Sequence, residues 1–380
     1  MKIALFTYST KRRGSVVHTL ELAGALQALG NSVCVFGLDK DGRGFEGSLG
    51  CDVVLVPARA AAVDLDRLIG QRIQEFVDFE VSMEYDIYHA QDCISANALA
   101  ILRQSRRIPH FVRTVHHLED YPSPYLQQCQ ERSIRAADLC FCVSEVWQAA
   151  LRSQYHLESP RVFNGVNLEQ FSPDKTERDP DLQQRLHLSG SPLYLTVGGI
   201  EPRKNSIALL QAFAEVLQAF PNAQLVIAGG ASIFDYQTYR AEFFAIANHL
   251  NISIGRSLLL PGVIAHEDLA ALYRCADAFV FPSLKEGWGL VVLEAIASGL
   301  PVITSNQPPF TEFLNSHQAQ LVDPLSVSAI AQAMKKVIDP PTAQSLIQAS
   351  QEILPQYSWQ ASAQKHLLYY EKLIHDEMTK

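Results

Sequence analysis

Short apolar runs, each bounded by polar or turn-forming residues, alternate along this chain with longer stretches whose apolar residues return every three or four positions. The first kind predicts strands and the second amphipathic helices; their regular alternation predicts α/β units built on parallel sheets. In the first half the strand pattern falls at Ile3–Thr7, Val33–Phe36, Val53–Val56, Ile87–His89, Phe111–Val115, Leu139–Val143 and Val162–Phe163. Helical patterns lie between them, for example at Val16–Leu29 and Ile94–Gln104. The rhythm then restarts, with strand patterns at Leu193–Val197, Gln224–Ala228, Leu258–Leu260, Ala278–Phe281, Val302–Thr304 and Gln320–Val322. Ser206–Gln218, Tyr239–Leu250, Glu267–Arg274 and Leu290–Ser298 carry the helical period of this half. Ser358 opens a last helical stretch, Ser358–Lys380, as a candidate N-cap whose hydroxyl can accept a first-turn N–H.

Between the halves lies SPDKTERDPDLQQ, Ser172–Gln184, polar and proline-bearing, which predicts a linker over residues 172–185. The expected organisation is a Rossmann-like domain over 1–175, completed by the helix 358–380, and a second over 186–357. Two domains suit a chain of 380 residues at roughly 150 residues per domain.

Composition narrows the function classes. Hydrophobic residues make up 48% of the chain, enough for two ordinary cores. A net charge of -9 argues against general nucleic-acid binding. It leaves room for a small anionic substrate, because a few fixed cations in a cleft override the global field. Seven cysteines form no CxxC pair and have no metal-ligand spacing, which predicts reduced thiols and a cytoplasmic protein. The opening MKIALFTYSTKRRG has too short an apolar run for a signal peptide and reads as a first strand. No apolar stretch reaches the ~18 residues of a membrane span, so a soluble protein without a transmembrane segment is expected.

Several apparent motifs dissolve on inspection. Gly42-Arg-Gly44-Phe-Glu-Gly47 is a literal G-x-G-x-x-G, but it leads into a strand, whereas a dinucleotide fingerprint must open a helix. His116 and His117 are adjacent at a strand end, point in opposite directions and make a poor metal pair. Asp64-Leu-Asp66 falls in a helical pattern as a solvated face, and no Asp-x-Asp is placed to hold a diphosphate-bound cation. Arg103, Arg106, Arg107, His110 and Arg113 form a basic cluster with two readings: a weak peripheral contact with anionic lipid or an acidic acceptor, or a solvated helix-to-strand connection.

Three blocks carry chemistry. In PSLKEGWGLVVLEAIASGLPVITS, Pro282–Ser305, a strand ends in a loop whose Gly287-Trp288-Gly289 leads into a helix at Leu290. Amides at such a helix N-terminus make an anion site, and glycines admit close approach. Glu286 stands at the mouth of that loop, and Glu294 lies a turn into an otherwise apolar helix. A carboxylate there can accept from two vicinal hydroxyls, and burying one without a partner or ligand is costly. VGGIEPRKN, Val197–Asn205, places Arg203 and Lys204 at a helix start, where the dipole disfavours cations unless an anion binds; an exposed charge pair is the competing reading. HAQDC, His89–Cys93, and RTVHH, Arg113–His117, each follow a strand, at the carboxyl ends where open α/β sheets bind ligands.

E-G-x-G-L-x-x-L-E-A followed by S-G-x-P-V-I resembles the signature of family 4 retaining glycosyltransferases, whose fold, GT-B, sets two Rossmann-like domains with parallel sheets across a cleft, with a C-terminal helix returning to the first. The resemblance runs through nearly the whole chain. It implies that Glu286 contacts the transferred sugar, that Glu294 holds the nucleotide ribose, and that the backbone of Gly287, Trp288, Gly289 and Leu290 meets the sugar and diphosphate. It assigns Lys204 to the diphosphate; the family's arginine just after the strand is here Gly199, which leaves Arg203 as the substitute cation. His116 would face the donor sugar, with His89 and Asp92 ordering the loops around it. Gly14 and Ser15 match the loop that meets diphosphate or acceptor, though one glycine stands where a pair is common. Asn164, in NGVN, matches the family's Asn-Gly-Val-Asp with its last residue changed.

The implied activity is metal-independent transfer of a sugar, with retention, from a nucleotide-diphosphate-sugar to a small-molecule, glycan or lipid-linked acceptor, with no cofactor. Two alternatives stay open: a nucleotide-sugar epimerase or hydrolase on the same fold, and an inactive sugar-nucleotide-binding subunit, which Gly199 keeps in play.

Overall fold

Valine, leucine, isoleucine and phenylalanine fill the strand positions, and the sheets they form are parallel throughout. A computed structural model of the protein describes residues 1–47, 49–62, 64–81, 84–230 and 236–378. The first six strands are β1 (Lys2–Thr7), β2 (Ser32–Asp39), β3 (Asp52–Pro57), β4 (Ile87–Ala90), β5 (Val112–Val115) and β6 (Leu139–Cys142). The next six are β7 (Leu193–Val197), β8 (Gln224–Ala228), β9 (Leu258–Gly262), β10 (Ala278–Phe281), β11 (Val302–Ser305) and β12 (Gln320–Val322). They make two sheets, ordered β3-β2-β1-β4-β5-β6 and β12-β11-β10-β7-β8-β9. Counted from its own first strand, the second sheet has the order of the first, so the duplication lies in architecture and not in residues. Central strands such as β4 and β10 are buried along their whole length, as helices on both faces require.

Each sheet reverses its winding once, between β1 and β4 in the first and between β7 and β10 in the second. Loops leaving the carboxyl ends of those strand pairs diverge to opposite faces and open a crevice, the usual ligand position of such sheets.

The chain divides into one unit of Met1–Gly165 with Tyr357–Lys380 and a second of Val166–Gln356. The last helix, Trp359–Met378, therefore belongs with the first unit; residues 379 and 380 of the expected helix lie outside the described residues. Ser358 accepts from the N–H of Ala361 at 3.1 Å, as a cap should. Downstream, Ser362 Oγ donates to the carbonyl of Phe163 at 2.6 Å, and Tyr370 Oη meets His89 Nδ1 at 2.5 Å.

Two expectations need correction. The linker expected over 172–185, between domains at 1–175 and 186–357, does not divide the units: the division falls after Gly165, and Arg178–Arg185 is a helix of the second unit, with Leu182 buried and Asp179 gripped by Arg274 at 2.7 and 2.9 Å. Asp179, Arg178 and Arg185 spend their charges on Arg274 and Asp268 of the neighbouring helix, while Asp174, Lys175 and Glu177 are exposed. The strand expected at Val162–Phe163 shrinks to a bridge between Arg161 and Cys142, and Pro160, lacking an N–H, cannot extend it upstream.

Candidate functional site

Because β7 and β10 are neighbours at the second sheet's reversal, the loops that follow them meet although they are far apart in sequence. After β7, Pro202–Lys204 forms one 3₁₀ turn and Asn205 adopts a left-handed conformation before the helix Ser206–Ala219. The Asn205 amide donates to the carbonyls of Pro282 and Pro324 at 3.1 and 2.6 Å, which pins this turn to the loop after β10. The N–H of Leu284 donates to the Arg203 carbonyl at 2.8 Å, and the Ser283 hydroxyl lies 2.7 Å from the same oxygen, its one proton shared between this carbonyl and Glu286.

On that frame three donors converge on one carboxylate oxygen. Lys204 Nζ lies 2.6 Å from Glu286 Oε1, Ser283 Oγ 2.8 Å and Arg203 Nη1 3.1 Å. Arg203 Nε also donates to Glu201 Oε2 at 3.1 Å, and Lys204 Nζ sits 4.4 Å over the ring of Phe281. Burial alone would raise the Glu286 pKa, but the charges of Lys204 and Arg203 and the bonds from Lys204 and Ser283 outweigh it and hold the carboxyl below its usual range. The pocket thus holds two cations and two carboxylates, Glu201 and Glu286, in one hydrogen-bonded group.

Beyond Glu286 the chain reaches the helix Leu290–Ala297, capped by Gly289 at φ 117°. A Cβ on Gly289 would lie 2.8 Å from Phe310 Cε1, so both conformation and space demand glycine. Trp288 is buried and stacks on Phe313 at 5.0 Å, so what it can present to a ligand is backbone. Gly287, in the loop, and Leu290, the first residue of the helix, are half-buried. Glu294, on the same helix, is buried and accepts from Tyr273 Oη at 2.8 Å.

Gly199 explains its own departure from the expected arginine. A Cβ there would sit 2.5 Å from the carbonyl oxygen of Gly230 and 3.2 Å from Glu201 Oε1. The two glycine pairs, 198–199 and 229–230, pack backbone to backbone. Gly199→Arg is therefore expected to lower Tm, with an overpacking cost of about 1–3 kcal/mol, without tightening nucleotide binding. An unchanged Tm with tighter binding would show that the position accepts the arginine.

In the first unit His18, which the sequence did not single out, is the hub. Its Nδ1 meets Asn164 Oδ1 at 2.8 Å, and its ring packs edge-on against His116 at 4.7 Å and Trp359 at 5.3 Å. His116 is half-buried at the end of β5, with Nε2 3.3 Å from Gln91 Oε1. Desolvation first, then His18 and Arg113, push its pKa well below the ordinary value, so the ring is neutral. His117 turns the other way, to Glu119 at 3.3 Å. His89 is buried between Tyr370 and Thr114 Oγ1, the latter at 2.7 Å. Asp92 caps the helix Cys93–Gln104 through Ser95 and accepts the N–H of Tyr8 at 2.8 Å, tying the loop after β1 to the loop after β4. Gly14 opens the helix Gly14–Ala28 at an exposed position, and the Ser15 carbonyl accepts from Thr19 Oγ1 at 2.7 Å.

The basic cluster is largely spent internally. Arg103 pairs with Asp138, Arg107 with the carbonyls of Val77 and Phe79, His110 with that of Asp86, and buried Arg113 with that of Thr114. Those bonds favour the helix-to-strand connection over a lipid contact. Among the described residues, no group of three or more His, Cys, Asp or Glu could hold a metal ion, and no helix is long and apolar enough to cross a membrane.

Residues 177–353 match the family model described as glycosyl transferases group 1, and residues 12–170 match that described as glycosyltransferase family 4. The chain is similar to the alpha-monoglucosyldiacylglycerol synthase of Streptococcus pneumoniae, 28% identical over 81% of this chain and 72% of that one. Its fold resembles that of sucrose-phosphate synthase from Thermosynechococcus elongatus, with a TM-score of 0.81 and 24% identity over 99% of both chains. It also resembles Anabaena HepE in complex with UDP and glucose, with a TM-score of 0.79 and 18% identity over 98% of this chain and 99% of that one.

Proposed function

Since the chain belongs to the group 1 glycosyl transferases and has the α/β GT-B fold, we propose that its donor is a nucleotide-diphosphate-sugar and that transfer proceeds with retention and without a metal. The observation that carries this reading is the convergence of Lys204, Arg203 and Ser283 on Glu286 beside a glycine-capped helix start, at the reversal of the second sheet. Cations and aligned amides are the groups that stabilise a departing diphosphate when no metal does so.

In this mechanism Lys204, Arg203 and the amides of Gly287 to Leu290 bind the diphosphate. Glu286 accepts from hydroxyls of the sugar, and Glu294 accepts from the ribose. In the first unit, His116 is held neutral and can donate or accept a hydrogen bond through its ring. The bond from the anomeric carbon to the diphosphate oxygen breaks while the acceptor oxygen bonds to that carbon on the same face. The acceptor's proton passes to the departing diphosphate oxygen, so no separate protein base is needed.

A thermal-shift series with UDP, GDP and ADP tests the donor class, because a ligand that binds only the native state raises Tm. No shift with any of them would sink it. Donor incubated without acceptor separates the alternatives, since an epimerase or hydrolase consumes the donor alone. Activity should also survive a chelator undiminished; complete loss restored by magnesium or manganese would overturn the metal-free mechanism.

A further inference from the structure

Tyr273, on the helix His266–Arg274, looks at first like a core aromatic. It is fully buried, with the rings of Phe171 and Phe279 at 5.8 and 5.6 Å. Its hydroxyl leaves that apolar wall and donates to Glu294 Oε2 at 2.8 Å, with the Val291 carbonyl at 3.3 Å. We propose that Tyr273 is a positioning residue for the ribose-binding carboxylate, committing one oxygen of Glu294 to the protein so that the group meets its ligand in a single orientation. The inference rests on the reading of Glu294 as the ribose contact.

The chemistry favours this arrangement over packing alone. A buried carboxylate needs a donor, and a hydrogen bond donated to it stabilises the ionised, accepting form. Burial first, then the charge of Glu294, pushes the Tyr273 hydroxyl well above its ordinary pKa, so it remains a donor at every working pH. Phenylalanine would fill the same volume and keep both ring contacts while removing only the donor.

In Tyr273→Phe the dissociation constant for the tightest of UDP, GDP and ADP should rise about tenfold, the usual effect of losing a hydrogen bond to a charged group. With saturating donor kcat should stay near the wild-type value, because the ribose does not react. The deciding measurement is a double-mutant cycle with Glu294→Ala, which removes the carboxylate that the hydroxyl donates to, read by calorimetry, with Tm recorded for each variant to confirm folding. The proposal requires that Tyr273→Phe add nothing to nucleotide affinity in the Glu294→Ala background. An equal loss in both backgrounds, or no loss in either, would reduce Tyr273 to packing while leaving the ribose contact standing. If Glu294→Ala alone left nucleotide affinity untouched, the donor-site reading would fail and take this inference with it.

Discussion

Glu286→Gln should lower kcat by roughly 100- to 1,000-fold, the usual cost of losing a group aimed at charge that develops in the transition state. The transferred sugar becomes positive as its bond to the diphosphate breaks, and the Glu286 carboxylate is held ionised beside Lys204 and Arg203. Glutamine keeps the shape and some of the hydrogen bonding but not the charge. Nucleoside diphosphate, which lacks the sugar, should bind the variant at least as well as the wild type. Removing the carboxylate leaves two cations with one counter-ion fewer, and a diphosphate can take its place. Turnover therefore falls while nucleotide binding is kept or strengthened, which misfolding cannot imitate. Full activity in Glu286→Gln would remove the glycosyltransferase reading of this loop, and a loss confined to nucleotide affinity would mean that Glu286 serves the diphosphate rather than the sugar.

Local structure was legible in the sequence; long-range pairing was not. The alternation of short apolar runs and helical periods was enough for two parallel-sheet units, because strands buried on both faces leave continuous apolar runs such as Ala278–Phe281. The Glu286 loop could be read for the same reason: glycine, helix start and both carboxylates fall within one short stretch. Nothing local says that Lys204 and Glu286 share a hydrogen bond, because that contact follows from β7 and β10 being neighbours. Tyr273 sits in an apolar helix pattern where its ring is expected and its hydroxyl is not. His18 is hidden in the same way, inside a helix whose surroundings are apolar. The stretch 172–185 misled because charge density reads as solvation, whereas Asp179 spends its charge on Arg274. Gly199 read as a missing arginine, and only the Gly230 carbonyl behind it shows why no side chain fits.

Lys204→Ala should weaken nucleoside diphosphate binding by about 2–5 kcal/mol, the range for truncating one side of a desolvated charge pair. The ammonium is mostly shielded from water, with 14% of its side chain exposed, and lies 2.6 Å from Glu286 above the Phe281 ring. Arg203 cannot replace it fully, since its guanidinium is already shared between Glu201 and Glu286 and is far more open to solvent. The fold should survive, because the turn is anchored by Asn205 and by the Leu284 N–H bond to the Arg203 carbonyl rather than by the lysine. A second effect follows from the same contact. Lys204 helps to hold the Glu286 pKa below its usual range, so truncation lets that pKa rise. Activity that needs the Glu286 carboxylate is retained above its pKa and lost as pH falls through it. The acid limb of kcat/KM should therefore shift to higher pH in Lys204→Ala. Calorimetry and a pH profile separate the two roles. Unchanged nucleotide affinity with a shifted acid limb would make Lys204 a partner of Glu286 alone. Unchanged affinity with an unshifted profile would leave it a charge on a loop, and the diphosphate would need another cation.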